Sequence, residues 1–163
     1  MMRKIGVISD THIPHFKKIP DAVWGHFAGV EMIIHAGDLS ILRVINELET
    51  IAPVVAVQGN VETEEVVLAL PIKREILVGG CRIGIVHILG ETSTRVRLAR
   101  HEFPNARCVV YGHSHIPYNQ EYDGQLLFNP GSATDRRRQP GCSIGLLYID
   151  DEQESIRGEI IEI

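Results

Sequence analysis

Seven polar side chains with metal-binding chemistry follow apolar, strand-like runs at five separate places in the sequence. The first run, Lys4 to Ser9, leads directly into an aspartate and a histidine two residues apart. Four later runs end in Gly-Asp, Gly-Asn, a single histidine and Gly-His-Ser-His. Because ligand sites in α/β sheets gather outside the carboxyl ends of the strands, we expect these segments to converge on one site. The seven residues are Asp10, His12, Asp38, Asn60, His87, His113 and His115.

The donor atoms of this set indicate divalent metal ions. Two carboxylates, one amide and four imidazoles supply oxygen and nitrogen donors without a thiolate, a mixture that suits Mn, Fe, Ni or Zn. This set is too large for one tetrahedral ion with an open position, but it suits two ions about 3.5–4 Å apart that share a carboxylate. Glycine before Asp38, Asn60 and His113 would let the chain turn sharply and leave room for the metals.

Two of these segments have simpler interpretations when each is taken alone. Asp10 and His12, close to Pro14, equally fit a turn, because short polar side chains bond the local backbone. His113 and His115 also fit a solvated loop. The five segments together favour the metal site, since an apolar strand could not carry such groups along its buried length without a large cost.

The ordered set Asp-x-His, Gly-Asp, Gly-Asn, His and Gly-His-x-His resembles the calcineurin-like metallophosphoesterase superfamily. From residue 4 to about 150 the chain is most similar to its small YfcE-type phosphodiesterases, whose late loop resembles Asn-Pro-Gly-Ser-Ala-Thr at residues 129–134. The resemblance implies a four-layer α-β-β-α fold and in-line attack on a phosphoester by a hydroxide that two metal ions share. It further implies one ion held by Asp10, His12 and His115, a second held by Asn60, His87 and His113, and Asp38 as the bridge. Catalytic roles would fall to Asp38, Asn60 and His113, with Asn60 close to the phosphate.

Three positions depart from the pattern of that superfamily. Ile88 follows the matched His87 where glycine is usual, and the next glycine is delayed to Gly90. Val61 stands where larger members carry a histidine that helps to protonate the leaving group, so a different proton source must serve. Glu62 stands where the small branch usually has aspartate, and we expect it behind the ligands or at the surface rather than on a metal.

The elements that position these residues are predicted from the alternation of strand-like and helix-like segments. Proline in a first turn and Ser or Thr caps predict three helices, at residues 20–28, 40–50 and 92–103. Asp123-Gly124 predicts a type I′ hairpin. The first half is therefore expected to be parallel and the second half largely antiparallel. Strands are expected at residues 3–9, 31–36, 53–58, 73–78, 81–88, 107–111, 118–122, 125–129, 143–149 and 155–161.

Composition indicates one α/β domain of residues 1–163, a two-sheet β-sandwich with helices on its outer faces. The chain is 44% hydrophobic, with a mean hydropathy of +0.03, and is long enough to bury a core. No apolar run approaches the roughly 20 residues of a membrane helix, and the N-terminus lacks signal-peptide features, so we expect a cytoplasmic protein without a membrane partner. Three widely spaced cysteines without a Cys-x-x-Cys pair indicate core thiols rather than disulfides or a zinc site.

The remaining histidines and one serine are expected to have supporting roles. His35, near the end of a strand, is expected to pack behind the ligands rather than to be one. His15 fits either the rim of the site or a surface loop, whereas His26 and His101 are ordinary helix residues. Ser132 lacks the Gly-x-Ser-x-Gly surroundings of a nucleophile and is expected to be a loop residue near the site.

Three functions compete at this point. The first is a dimetal phosphodiesterase that acts on a small phosphodiester or phosphomonoester, in a chain that could form a homo-oligomer. The second is a non-catalytic protein-binding scaffold, because the small subunit of the eukaryotic retromer coat resembles this chain; the complete ligand set argues against it. The third, a nuclease, is disfavoured by a net charge of -5 and an aromatic content of 6%. Arg136 to Arg138 form either a solvated loop or a lip that steers an anionic substrate, which keeps a short nucleotide open.

Overall fold

Ten strands and four helices make up the computed structural model, which describes all 163 residues. The strands are β1 (Met2–Ile8), β2 (Met32–His35), β3 (Val54–Ala56), β4 (Lys73–Val78), β5 (Cys81–Val86), β6 (Cys108–Val110), β7 (Tyr118–Tyr122), β8 (Gln125–Asn129), β9 (Ser143–Asp150) and β10 (Ser155–Glu162). The helices are α1 (Ala22–His26), α2 (Arg43–Leu48), α3 (Glu64–Ala69) and α4 (Arg95–Glu102).

The strands form two mixed, five-stranded sheets. The first has the order β10-β9-β1-β2-β3, with β1, β2 and β3 parallel and with β9 antiparallel to both β1 and β10. The second has the order β4-β5-β6-β8-β7, in which β5, β6 and β8 are parallel and only the edge strands β4 and β7 are antiparallel to their neighbours. The expectation of antiparallel pairing is therefore wrong for the centre of this sheet, because the long connection through α4 lets β6 run in the direction of β5.

Alternating side chains on the strands build the cores that define four layers. A cluster of 15 buried residues, including Ile5 and Ile83, fills the space between the two sheets. A second cluster packs the outer face of the first sheet against α1, α2 and α3, with Phe27 at its centre and Val66 at α3. A third packs α4 and Phe103 on the outer face of the second sheet. This arrangement confirms the predicted sandwich of two sheets flanked by helices.

The local predictions agree with the structure except for one helix. All ten predicted strands are present, and Asp123 and Gly124 have φ of 48° and 80°, as the type I′ hairpin requires. The six residues of α3 were not predicted, although Thr63 before two glutamates in a first turn is a start signal that could have identified the helix. None of the helices is long and apolar enough to cross a membrane.

Candidate metal centre

The structure brings all seven predicted side chains together in the loops after five strands. Asp10 and His12 follow β1, Asp38 follows β2, Asn60 follows β3, His87 follows β5, and His113 and His115 follow β6. Because these strands run parallel within each sheet, their carboxyl ends open on the same edge. Six of the side chains form two groups of three, Asp10 with His12 and His115, and Asp38 with His87 and His113. Within each group, the possible ligand atoms all lie within 4.8 Å of one another.

Asp38 lies between the two groups. Its Oδ2 is 3.1 Å from His87 Nε2 in its own group and 3.7 Å from His12 Nε2 in the other. Asn60 adjoins the second group, with its Oδ1 3.0 Å from His87 Nε2 and 3.1 Å from His113 Nδ1. Asp38 therefore occupies the place where one carboxylate could serve two neighbouring ions.

One carboxylate oxygen of the centre, Asp10 Oδ1, is buried and has no hydrogen-bond partner. The other oxygen, Oδ2, accepts from the Ser9 hydroxyl at 2.6 Å and from the His113 backbone N–H at 3.1 Å. Oδ1 instead faces ring nitrogens of His115 and His87, at 3.3 and 3.8 Å. A buried oxygen without a partner is costly, and a divalent cation would satisfy it, so the residues present fit the metal ions that their types indicate.

Backbone carbonyls fix the orientation of two imidazole rings. His87 Nδ1 donates to the carbonyl oxygen of Ala36 at 2.7 Å, and His115 Nδ1 donates to that of Asp135 at 2.8 Å. Each bond places a proton on Nδ1, so that Nε2 is the ring nitrogen that faces the centre and can bind a cation.

The two carboxylates of the centre are held in their ionised form. Burial by itself raises the pKa of Asp10, but the neighbouring imidazoles of His115 and His87, which favour the anion, outweigh it and hold the pKa below its usual range. Burial likewise opposes ionisation of Asp38, yet His87 and a hydrogen bond from Val61 N–H, at 2.8 Å, keep its pKa low. Both side chains therefore present anionic oxygens to a cation.

Similarity to known proteins identifies the family of this chain. A model of the calcineurin-like phosphoesterase superfamily domain matches residues 2–152. The chain belongs to the calcineurin-like phosphoesterase superfamily. It is 39% identical over 155 residues to a probable metallophosphoesterase of Methanothermobacter thermautotrophicus, covering 91% of this chain and 87% of that protein. These matches confirm the family identified from the motifs, and with it the prediction of a hydrolase.

Three further proteins extend the similarity. The chain is 28% identical over 142 residues to a phosphodiesterase of Methanocaldococcus jannaschii, covering 78% of this chain and 82% of that protein. A solved archaeal phosphodiesterase has a TM-score of 0.74 at 27% identity, covering 97% of this chain and 99% of that one. Vps29 of Entamoeba histolytica in complex with Zn²⁺ has a TM-score of 0.77 at 23% identity, covering 98% of each chain, which shows the shared fold alone.

The backbone is strained at most of the superfamily's motif positions. Asp10, His12, Asp38, His113 and His115 all have φ between 46° and 71°. A residue with a Cβ in this left-handed region costs about 1–2 kcal/mol, so contacts from outside the motifs must hold them there.

The three glycines that precede motif residues make room for neighbouring protein atoms. A Cβ on Gly37, which has φ of 98°, would lie 2.7 Å from His87 Nδ1. A Cβ on Gly59 would overlap the Asp38 carboxylate, and Gly112 is crowded in the same way. Glycine is therefore needed at these positions because the motif loops approach one another too closely for a Cβ atom.

Glu62 braces two motif loops from behind. Its Oε2 accepts from the backbone N–H groups of Asp38, at 3.1 Å, and Gly59, at 2.8 Å, while Oε1 accepts from Ser40 N–H at 2.7 Å. The sequence placed this carboxylate behind the ligands or at the surface, and the structure shows the first of these. The hydrogen bonds from Asp38 and Ser40 could not be predicted from the sequence, because these donors lie 24 and 22 residues from Glu62.

The late loop of residues 129–134 braces the opposite side of the centre. Ser132 Oγ donates to the Asp10 carbonyl at 2.8 Å and accepts from Asp135 N–H at 2.9 Å. Thr134 Oγ1 donates to the Thr11 carbonyl at 2.8 Å. Ser132 is thus a loop residue near the site, as expected, and its hydroxyl is engaged in holding the strained turn after β1.

His35 is completely buried beneath the centre. Its Nδ1 accepts from Gly37 N–H at 3.2 Å, so its Nε2 carries the proton and donates to Thr11 Oγ1 at 3.1 Å. Burial lowers the pKa of His35 to about 4, against the opposing charge of Asp10. The neutral ring therefore supports both neighbouring loops without binding a metal.

We expect His35 to make the fold sensitive to acid. The His35 ring binds a proton near pH 6.5 in the unfolded chain but only near pH 4 in the folded chain. Its contribution to the free energy of unfolding is therefore fully present above pH 6.5, and about 3 kcal/mol of it is lost as the pH drops to 4. In His35→Asn, whose Oδ1 can still accept from Gly37 N–H, this loss should shrink. Urea unfolding of the metal-free proteins at pH 7 and pH 4.5 measures it, with the exposed His26→Asn as control. Equal losses in wild type and His35→Asn would contradict the prediction.

The other residues singled out in the sequence lie outside the two groups. His15, His26, His101 and Arg136 to Arg138 are exposed. Ile88 is 48% exposed beside His87. Cys81 and Cys108 are buried and Cys142 is half-buried, all as free thiols.

Proposed function

We propose that the protein hydrolyses phosphodiesters of small molecules at a centre of two divalent metal ions. The observation that carries this proposal is the position of Asp38 between two groups of donors, beside the unpartnered Asp10 Oδ1. Mn²⁺, Fe²⁺, Ni²⁺ and Zn²⁺ all suit these donors. One ion would be held by Asp10, His12 and His115, the other by Asn60, His87 and His113, and Asp38 would bind both.

The residues around this centre would bind and orient the phosphoryl group. When bound, the ions supply the Lewis acidity that activates water and withdraws charge from phosphoryl oxygens. Val61 N–H holds one oxygen of Asp38, so that the other stays aimed between the groups. Asn60 directs its oxygen towards His87 and His113, which leaves its NH₂ group to donate to a phosphoryl oxygen. His113 is exposed and would lie within reach of the same phosphoryl group.

Charge supports a small anionic substrate rather than nucleic acid. The net charge is -5, so attraction must come from local groups. Arg137 lies beside the centre, because its guanidinium is 3.8 Å from the carboxylate of Asp135, whose carbonyl holds His115, but that carboxylate offsets part of its charge. The arginine run, which is exposed, therefore keeps both interpretations, a solvated loop or a lip that steers an anionic substrate. A single domain of residues 1–163, a cytoplasmic location and a homo-oligomeric state stay predictions of this proposal.

The experiment that tests the proposal is the return of metals to metal-stripped protein. We expect no hydrolysis of bis(p-nitrophenyl) phosphate without metal, and turnover on titration with Mn²⁺, Ni²⁺ or Zn²⁺, with slower turnover of p-nitrophenyl phosphate. Metal analysis of the same samples gives the stoichiometry. Two bound ions per chain with no turnover for any metal would instead support the scaffold function, which the fold shared with Vps29 keeps as the second candidate.

A further inference from the structure

An apolar cleft of about 170 Å³ opens directly beside the candidate metal centre. It lies between the end of β5 and the connection from α3 to β4. Asn60 and His87, which belong to the centre, also line this cleft. The other side chains that define it are Gln58, Ile72, Val86 and Ile88.

Two isoleucines that line the cleft expose large apolar surfaces. One precedes β4 and the other follows β5. Ile72 is 68% exposed and Ile88 is 48% exposed. Neither packs in any of the three cores. Apolar side chains beside a polar centre leave surface that a ligand can remove from water, which stabilises the bound state by about 25 cal/mol per Å².

The third side of the cleft is held in place by Gln58. Its Nε2 donates to the carbonyl oxygens of Val67, at 3.1 Å, and Leu70, at 2.6 Å, at the end of α3. These bonds use both amide hydrogens and tie the segment before Asn60 to the segment that carries Ile72. The cleft is therefore built by fixed elements rather than by a free loop.

The size of the cleft matches one aromatic ring. A cavity of about 150 Å³ lined by aliphatic side chains is large enough to bind benzene. We propose that the cleft between Ile72 and Ile88 binds an aromatic ring on a substituent of the phosphoester, while the phosphoryl group lies at Asn60 and His87. This inference rests on the proposed function and adds to it a substrate class, aromatic phosphoesters, and a reason for isoleucine rather than glycine at position 88.

A binding experiment tests the cleft without relying on turnover. Phenylphosphonate and methylphosphonate carry the same anionic group, and both can be titrated into Zn²⁺-loaded protein with labelled isoleucine methyl groups. We expect phenylphosphonate to bind about tenfold more tightly and to shift the NMR signals of Ile72 and Ile88. Equal affinities, or shifts that avoid both isoleucines, would overturn the cleft alone; binding of neither ligand would overturn the proposed centre as well.

Variants test the same inference through selectivity. Ile88→Gly and Ile72→Ala should each lower the ratio of kcat/KM for p-nitrophenyl phenyl phosphate over p-nitrophenyl methyl phosphate by about tenfold, because both esters release the same leaving group. Ile72 is distant in sequence from any motif residue, so its variant remains informative if Ile88→Gly disturbs His87. Leu77→Ala, which removes a 63% exposed side chain outside the cleft, should leave rates and ratio unchanged. An unchanged ratio in both cleft variants would contradict the inference.

The alternative occupant of the cleft is a second copy of this chain. Sedimentation of wild type and Ile88→Gly at the assay concentration distinguishes the two cases. The inference predicts the same oligomeric state for both proteins. An oligomer that Ile88→Gly dissociates would show that a subunit covers the cleft, and would overturn the assignment to substrate.

Discussion

Asp38→Asn is expected to lower kcat/KM for bis(p-nitrophenyl) phosphate by about 10³-fold or more, since it removes the carboxylate placed between both groups of ligands. Asparagine can keep the hydrogen bond from Val61 N–H only with its carboxamide oxygen at the Oδ1 position. Its NH₂ group then replaces Oδ2, which lies 3.1 Å from His87 Nε2 and 3.7 Å from His12 Nε2. A donor would thus stand where a cation needs an anionic acceptor.

Metal analysis and turnover together measure this effect. The metal content of Asp38→Asn should fall from two ions per chain to one or none, while its circular dichroism stays that of the wild type. Asp21→Asn, which removes a carboxylate with a side-chain exposure of 88%, is the matched control and should keep full metal content and activity. Wild-type activity in Asp38→Asn would show that the bridging role is wrong.

Gly59→Ala is the second variant for which we expect a large loss, of about 10²-fold or more in metal-dependent turnover. The added Cβ would overlap the Asp38 carboxylate and lie 2.6 Å from the Asp38 backbone nitrogen. Since Gly59 does not have a positive φ, the backbone itself accepts alanine and the effect comes from space alone. Overpacking of this kind typically costs about 1–3 kcal/mol, and here the group that must move is the proposed bridge.

Gly25→Ala provides the matched control for the same added methyl group. Gly25 lies within α1, and a Cβ there meets no atom within 4 Å. We expect this variant to keep wild-type activity and to gain about 0.5–1 kcal/mol of stability, because alanine favours the helix. Turnover, metal content and thermal unfolding of both variants should be compared. Full activity in Gly59→Ala would contradict the tight approach of the loop to Asp38.

The braces around the centre explain how the strained residues Asp10, His12 and Asp38 can be held in a small domain. Glu62 binds backbone N–H groups of two motif loops, and Ser132 and Thr134 bind carbonyls of a third. Three of the five motif loops thus have backbone polar groups fixed before a ligand arrives. Such preorganisation lets the donors meet a substrate without the cost of ordering them at that moment.

The sequence by itself determined the positions of the strands and which seven polar side chains converge beyond their ends. Asp10 and Asp38 follow β-branched runs that form strands on local preference, and parallel strands carry their following loops to one edge. Helix α3 was missed because its start signal, Thr63 before two glutamates in a first turn, was not recognised. The parallel centre of the second sheet was missed because pairing direction depends on which strands become neighbours, and β7 is displaced to an edge.

Only the tertiary structure decided how the centre is held and what lies beside it. Nothing local in the sequence indicates that Ser132 donates to Asp10, 122 residues away, or that Glu62 joins the loops after β2 and β3. The cleft likewise depends on Ile72, just before β4, and Ile88, just after β5, lining one cavity with Asn60. Hydrophobic periodicity and turn preferences act over a few residues, whereas hydrogen-bond partners and cavities are set by the packing of two sheets, so these features follow from the folded chain alone.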